Sequence, residues 1–106
     1  MIAAAISRAG VPIRLTDERW SHIVEEHAEL AGMREEVLQA VADAEAVYLG
    51  RGGELLATKA IERTTGRTMV AVYRETSSND GFIITAFMTS QPQRVARRPR
   101  RWPQTK

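Results

Sequence analysis

The change in hydrophobic spacing near residue 45 is the feature that most constrains the fold of this chain. Before it, apolar residues recur at helical spacing, and after it they fall in short segments separated by turn residues. A helical half followed by a run of strands predicts an α+β domain whose helices cover one face of a sheet. The 106 residues suffice for one such domain.

The clearest predicted helix spans residues 15–30. Thr16 is a suitable N-cap, and two acidic residues follow it in the first turn, where the helix dipole favours negative charge. The apolar face of this helix ends at His27 and is formed by Leu15, Trp20, Ile23 and Val24. A second, shorter helix is predicted over residues 34–43.

Four strands are predicted in the second half of the chain. They cover Ala46–Leu49, Leu55–Arg63, Thr68–Glu75 and Phe82–Thr89. The short connections between them are rich in turn residues, so neighbouring strands are predicted to pair antiparallel. The expected architecture is therefore two N-terminal helices packed on a four-stranded antiparallel sheet, whose other face is available to a ligand.

The basic residues are concentrated at the C-terminal end. Six of the fifteen lie between Arg94 and Lys106, which leaves nine against thirteen acidic residues, a balance of −4, in residues 1–93. We expect an N-terminal extension over residues 1–12, a domain over 13–91 and a basic, proline-rich tail over 92–106. The tail is either a solvated or weakly docked end, or an arm that binds phosphates and stacks Trp102 on a base.

The composition excludes several classes of protein. There is no cysteine, so a disulfide framework and a thiolate metal site are impossible, and a cytoplasmic location is the simplest expectation. Two histidines would need carboxylates to complete a zinc site. No apolar run is long enough to span a membrane. We therefore predict no cofactor, no metal and no membrane partner.

Three segments resemble the small phage-associated nucleases of the barnase, EndoU, colicin and RelE-like superfamily. They are Leu15-Thr16-x-x-Arg19-Trp20-x-His22-Ile23-x-x-x-His27-x-Glu29, residues 70–74 and residues 81–90. The resemblance covers roughly residues 13 to 90. One position departs from it, because related sequences often have proline after this histidine and the chain has Ala28.

The resemblance implies a helix pair on a four-stranded antiparallel sheet that cleaves RNA without a metal. It also implies a toxin of a toxin–antitoxin or phage-associated system. The expected partners are an RNA substrate and an antitoxin or immunity protein. A homodimer is a further possibility, since an exposed edge strand can pair with a second copy.

Cleavage by the RNA 2′-hydroxyl needs a base, an acid and cations for the phosphorane. His27 is the predicted base or acid because histidine titrates near neutral pH, although a histidine at the edge of the core would fit the same pattern. His22 lies about 140° away on the helix and is expected to face solvent. Arg74 and Lys59 interrupt apolar strands and are predicted to clamp the phosphate, unless they only face solvent.

Hydroxyl groups near the end of the last predicted strand complete this set. Thr85 and Ser90 are predicted to orient a phosphate oxygen or a water, although threonine is also an ordinary strand residue. The predicted RNA-binding residues are Arg63, Arg67, Thr89, Arg94, Arg97 and Arg98. The competing hypothesis is a non-catalytic module that holds RNA or an acidic protein with the sheet face and the tail.

Overall fold

The computed structural model describes residues 2–61 and 66–104. Within these segments the chain forms seven strands and three α-helices. In chain order they are β1 (Ile2–Ile6), β2 (Pro12–Thr16), α1 (Asp17–Glu26), α2 (Arg34–Ala42), β3 (Ala46–Leu49), β4 (Leu55–Ala60), β5 (Thr68–Ser77), β6 (Asp80–Thr89), α3 (Pro92–Val95) and β7 (Arg100–Trp102). A 3₁₀ turn over Ala28–Leu30 joins α1 to α2. No helix in these two segments is long and apolar enough to cross a membrane.

The seven strands form one mixed sheet in the order β1-β2-β6-β5-β4-β3-β7. Strands β3 to β6 make the antiparallel meander that the turn signals predict. The hairpin β1–β2 joins this meander through a short parallel pairing, in which Ile13 lies opposite Gly81 and Arg14 opposite Phe82. At the far edge, β7 pairs antiparallel with β3.

The predicted architecture of two helices on a four-stranded antiparallel sheet is wrong. The fold has a third helix and three further strands, and one strand pairing is parallel. Strand β1 lies in the presumed extension and is largely alanine, which has low intrinsic β propensity. In the presumed tail, Pro92 occupies the first turn of α3, where proline is tolerated, and residues 100–102 complete the free edge of β3.

The predicted N-cap of the first helix is confirmed. The Thr16 Oγ1 atom accepts a hydrogen bond from the Arg19 backbone N–H at 3.1 Å, as expected of an N-cap. The second helix and the four central strands also lie close to their predicted positions. Strand β4 ends at Ala60, and the rest of that predicted strand, including Arg63, lies partly outside the described residues.

Side chains of the sheet divide between two faces. The inner face packs against α2, and its central contribution comes from Met69, Ala71 and Tyr73 of β5. The outer face carries a smaller cluster, formed by Tyr48, Leu56, Val70, Val72 and Val95, with Ile84 and Phe87 packed against it. Because Val95 belongs to α3, that helix covers part of the face that was predicted to be open.

The sheet curls around α2, so its two edges approach each other. Helix α2 contacts β1 at one edge as well as β4 and β5 nearer the other. The Arg8 guanidinium, in the turn after β1, lies 4.4 Å from the ring centroid of Trp102 in β7. This contact joins the first strand and the last.

Gly81 marks the junction between the hairpin and the meander. A Cβ atom at this residue would lie 2.5 Å from the Arg74 carbonyl oxygen and 2.6 Å from Ile13 Cδ1, so a side chain does not fit. Beside it, Arg14 Nε donates to Asp80 Oδ1 at 2.8 Å and Arg14 Nη2 to Asp80 Oδ2 at 3.1 Å. The hydrogen bond from Arg14 lowers the pKa of Asp80.

Candidate functional site

Helix α1 lies beside the part of β6 that extends beyond the short pairing with β2. The cleft between them, here called the α1–β6 groove, has a volume of about 230 Å³. It is lined by Arg19, His22, Ile23, Glu26, Ile84 and Thr85. The four helical residues are spaced i, i+3, i+4 and i+7, so they share one side of α1.

A bulge in β6 shapes the floor of the α1–β6 groove. Thr85 pairs with Val72 and Ile83 pairs with Tyr73, which leaves Ile84 as an extra residue between them. A bulge bends its strand and redirects its side chains, and bulges are frequent beside active sites. Here the bulge allows both Ile84 and Thr85 to face α1.

His27 follows α1 as its C-cap, where its backbone N–H donates to the Ile23 carbonyl at 2.8 Å. Its side chain is 31% exposed, and the ring centroid lies 6.3 Å from that of Phe87 on β6. The Nδ1 atom is 3.7 Å from Glu29 Oε2. His27 is therefore half-buried, with its ring against β6.

His22 also lies on the β6 side of α1. Its side chain is 55% exposed, as a solvent-facing residue would be, yet it lines the α1–β6 groove together with Thr85. Thr85 and Phe87 are alternate residues of one strand, and both pair with β5 residues of the outer face. His22 thus shares a groove with Thr85, and the ring of His27 lies near Phe87, two residues further along β6.

The arrangement of groups in the α1–β6 groove suits proton transfer at a phosphate ester. It combines an imidazole, a carboxylate, a guanidinium and a hydroxyl in one cleft, with a second imidazole at the end of the helix. Imidazoles and carboxylates serve as general acids and bases, and a guanidinium binds phosphate oxygens. Across residues 2–61 and 66–104, no cluster of three or more histidine and acidic side chains could hold a metal ion.

A second cleft, here called the arginine groove, lies between the β3–β4 loop and the segment after β6. Its volume is about 610 Å³, and its lining is Leu49, Gly50, Arg51, Arg94, Arg97, Arg98 and Pro99. Among the described residues, none offers an ion pair or a side-chain hydrogen bond to these four arginines. Four guanidinium groups around one cleft create a positive potential that attracts polyanions.

Both grooves adjoin the outer face of the sheet. Val95 of α3 packs on the outer face next to Tyr48 of β3, so the arginine groove follows the β3 side of this face. The α1–β6 groove follows the β6 side. Three strand spacings separate β3 from β6, a distance of about 14 Å.

The predicted phosphate clamps lie away from His27. Lys59 pairs with Met69 on the inner face, where it lines a pocket with acidic residues of α2. Arg74 is on the outer face but lies opposite Phe82, five residues before Phe87, and its Nη2 atom donates to the Gly52 carbonyl at 3.0 Å. At about 3.3 Å per residue, that places Arg74 roughly 16 Å along β6 from the ring that His27 contacts.

The remaining predicted residues are dispersed. Thr85 lines the α1–β6 groove, whereas Thr89 Oγ1 accepts a hydrogen bond from the Gln91 backbone N–H at 3.0 Å. Ser90 is exposed in the turn after β6, and Arg67 is exposed just before β5. The three arginines of the segment after β6, Arg94, Arg97 and Arg98, come together in the arginine groove. Arg63 lies outside the described residues.

Sequence reasoning missed Arg19 and Glu26, although their spacing with His22 on one helix side was a usable signal. Arg51 joins the arginine groove from a loop more than forty residues before Arg94, so no local pattern could indicate it. No protein-family model matches this chain, and neither a curated protein nor a solved structure does.

Proposed function

We propose that this protein is a metal-independent endoribonuclease that cleaves RNA in the α1–β6 groove. The observation that carries the proposal is the placement of His22, Glu26 and Arg19 on one side of α1, facing the bulged segment of β6. RNA can be cut by its own 2′-hydroxyl, so the protein has only to move protons and stabilise charge. The α1–β6 groove holds groups for both tasks.

The two histidines supply the base and the acid. One imidazole takes the 2′-hydroxyl proton while the 2′-oxygen attacks phosphorus, and the other donates a proton to the departing 5′-oxygen. Histidine suits both roles because its charge changes between pH 5 and 8. In this proposal Glu26 stabilises the imidazolium form, Arg19 binds the phosphate and Thr85 orients one of its oxygens. The products are a 2′,3′-cyclic phosphate and a free 5′-hydroxyl.

The arginine groove supports the same proposal by offering a place for the rest of the RNA. The arginine groove flanks α3, whose Val95 packs on the outer face, and within the described residues its four guanidinium groups have no ion pair or side-chain hydrogen bond. An RNA strand held there by its phosphates would reach β6 after crossing β4 and β5 on the outer face, about three strand spacings. Binding of this kind depends on charge rather than sequence.

A non-catalytic RNA-binding module is the second candidate. It is favoured by the positions of Lys59, on the other face of the sheet, and Arg74, whose guanidinium binds the Gly52 carbonyl. Neither Lys59 nor Arg74 lies near His27. In the endoribonuclease proposal, the charge of the transition state therefore has to be stabilised by Arg19 alone. This candidate predicts RNA binding that weakens with salt and yields no product.

The proposal extends to a toxin, because unregulated RNA cleavage would stop growth. An antitoxin or immunity protein would inhibit such a toxin if an acidic segment of that partner covered the arginine groove. Induced expression of the wild-type chain is expected to arrest growth, and the His27→Ala chain is not. Equal growth arrest by both chains would contradict the extension.

The test is incubation of purified protein with total cellular RNA in excess chelator. Wild type is expected to give discrete fragments ending in 2′,3′-cyclic phosphate. His22→Ala and His27→Ala should each lower the rate by about 10²-fold or more, the usual contribution of a general acid or base. Glu18→Gln, an exposed α1 residue outside the α1–β6 groove, is the matched control and should cleave like wild type.

Three outcomes of this test separate the candidates. Fragments that depend on both histidines support the nuclease. Intact RNA that is nevertheless bound at low salt supports the binding module. Cleavage that persists in both histidine variants overturns the assignment of the α1–β6 groove.

A further inference from the structure

A pocket of about 470 Å³ opens where the two edges of the curled sheet approach each other. It lies between the β1–β2 turn and β7, and we call it the edge pocket. Its principal lining residues are Arg8, Val47, Tyr73, Glu75, Arg101 and Trp102. It shares no lining residue with the α1–β6 groove or the arginine groove.

A buried phenol lines the edge pocket. Tyr73 is only 1% exposed, and its hydroxyl hydrogen-bonds no residue in the described part of the chain. Burial raises the pKa of Tyr73, the nearby charge of Glu75 acts in the same direction, and Arg101 opposes them. The phenol therefore keeps its proton and can donate a hydrogen bond to a ligand.

A carboxylate with one uncommitted oxygen lies beside this phenol. Glu75 Oε2 accepts a hydrogen bond from Ser7 Oγ at 2.8 Å, which fixes the carboxylate. Its Oε1 has no hydrogen-bond partner among the residues described. A fixed carboxylate oxygen recognises an N–H donor on a ligand, since an ionised carboxylate only accepts hydrogen bonds.

Two guanidinium groups complete the edge pocket. Arg8 stacks at 4.4 Å on Trp102, and its Nε donates to the Ala44 carbonyl at 3.1 Å. No described residue hydrogen-bonds its terminal nitrogens, which can therefore bind a ligand. Arg101 lines the same pocket from β7. Guanidinium groups bind phosphate oxygens in a forked geometry. Val47 and Leu55 provide an apolar wall against which a planar ring can pack.

We propose that the edge pocket binds a nucleoside monophosphate. Its base packs on the apolar wall and donates an N–H group to Glu75, while Tyr73 hydrogen-bonds a second polar atom of the ring. Its phosphate binds Arg8 and Arg101. This site is independent of the proposed nuclease activity, because its residues take no part in the α1–β6 groove.

Trp102 gives a direct readout of this site. In a Trp20→Phe protein, Trp102 is the remaining tryptophan, so its fluorescence reports on the edge pocket. Guanosine 5′-monophosphate is expected to change this fluorescence in a saturable way. Guanosine and inorganic phosphate, each lacking half of the ligand, should bind at least about tenfold more weakly.

Substitutions in the same background test the individual contacts. Glu75→Gln and Arg101→Gln should each weaken binding of guanosine 5′-monophosphate by about tenfold, because each removes a hydrogen bond that involves a charged group. Tyr73→Phe removes a hydrogen bond between neutral groups and should weaken binding by about fivefold. Arg100→Gln is the matched control, since Arg100 pairs with Tyr48 and lies outside the edge pocket. Far-UV circular dichroism verifies that each variant is folded.

Several results would overturn the proposal. One is the absence of a saturable change with guanosine 5′-monophosphate. Another is equal affinity for inorganic phosphate alone, which would indicate only an anion site. A third is that folded Glu75→Gln, Tyr73→Phe and Arg101→Gln proteins all bind like the Arg100→Gln control.

Discussion

Removal of charge from the arginine groove should change how RNA binding responds to salt. Four arginines line this groove without ion pairs in the described segments. If each binds one phosphate of a single strand, the slope of log K against log salt is about −0.7 per contact, or roughly −2.8 in total. Affinity should then fall about 50-fold between 50 mM and 200 mM salt.

The slope per contact predicts how RNA binding by the variants responds to salt. Each loss of one contact should reduce the slope by about 0.7, so the double variant Arg51→Gln/Arg97→Gln is expected to show a slope of about −1.4. Its affinity should therefore fall only about 7-fold over the same salt range. Fluorescence anisotropy of a labelled single-stranded RNA, titrated at four salt concentrations, measures these slopes.

Arg14→Gln is the control for this prediction. Arg14 is also exposed, but it forms a bidentate ion pair with Asp80 and does not line the arginine groove. The slope should remain near −2.8 in this variant, as in wild type. A wild-type slope near zero would refute the reasoning, as would a double variant whose slope equals that of the Arg14→Gln protein.

Three further predictions concern stability. Thr16→Ala removes the N-cap hydrogen bond to Arg19 and should lower the free energy of unfolding in urea by about 1 kcal/mol; unchanged stability would contradict the cap. Gly81→Ala forces a Cβ into the Arg74 carbonyl and should cost about 1–3 kcal/mol in the same assay, whereas a neutral effect would contradict the tight junction of β2 with β6. The pKa of Tyr73 is raised by burial, so its neutral form stabilises the fold fully below about pH 10, and this contribution is lost as pH rises further. Urea unfolding at pH 9 and pH 11 should show a smaller loss for Tyr73→Phe than for wild type, and equal losses would contradict this prediction.

The elements that sequence reasoning predicted well have local causes. The N-cap at Thr16 and the alternating strands of the meander are specified by residues close together in the chain. The edges of the sheet are different. Strand β1 is mostly alanine, and β7 contains arginines beside prolines, so neither has a strand pattern of its own. Strand β1 obtains its hydrogen bonds by pairing with β2, and β7 by pairing with β3. Both pairings depend on the fold of the rest of the chain.

The candidate site also combines features that local spacing predicts with features that depend on strand pairing. The spacing of Arg19, His22 and Glu26 was sufficient to place them on one side of α1, but they lie beside the apolar face from which the helix was predicted. The bulge at Ile84 decides which β6 residues face α1, and a one-residue irregularity leaves no signature in the alternation. The sheet face that Lys59 occupies could not be predicted from the sequence, because the face of a strand residue depends on the register of its strand with the neighbouring strand.

The proposed nucleophile is the 2′-hydroxyl of the RNA, and the proposed proton transfers take place in the α1–β6 groove. The most direct measurement uses an RNA in which only the nucleotide before a mapped cleavage position is replaced by its 2′-deoxy form, in excess chelator. We predict that wild-type protein stops cutting at that position and continues to cut an all-ribose copy. Cleavage of the deoxy substrate at an unchanged rate, or no cleavage of either substrate, would contradict the proposed 2′-hydroxyl attack.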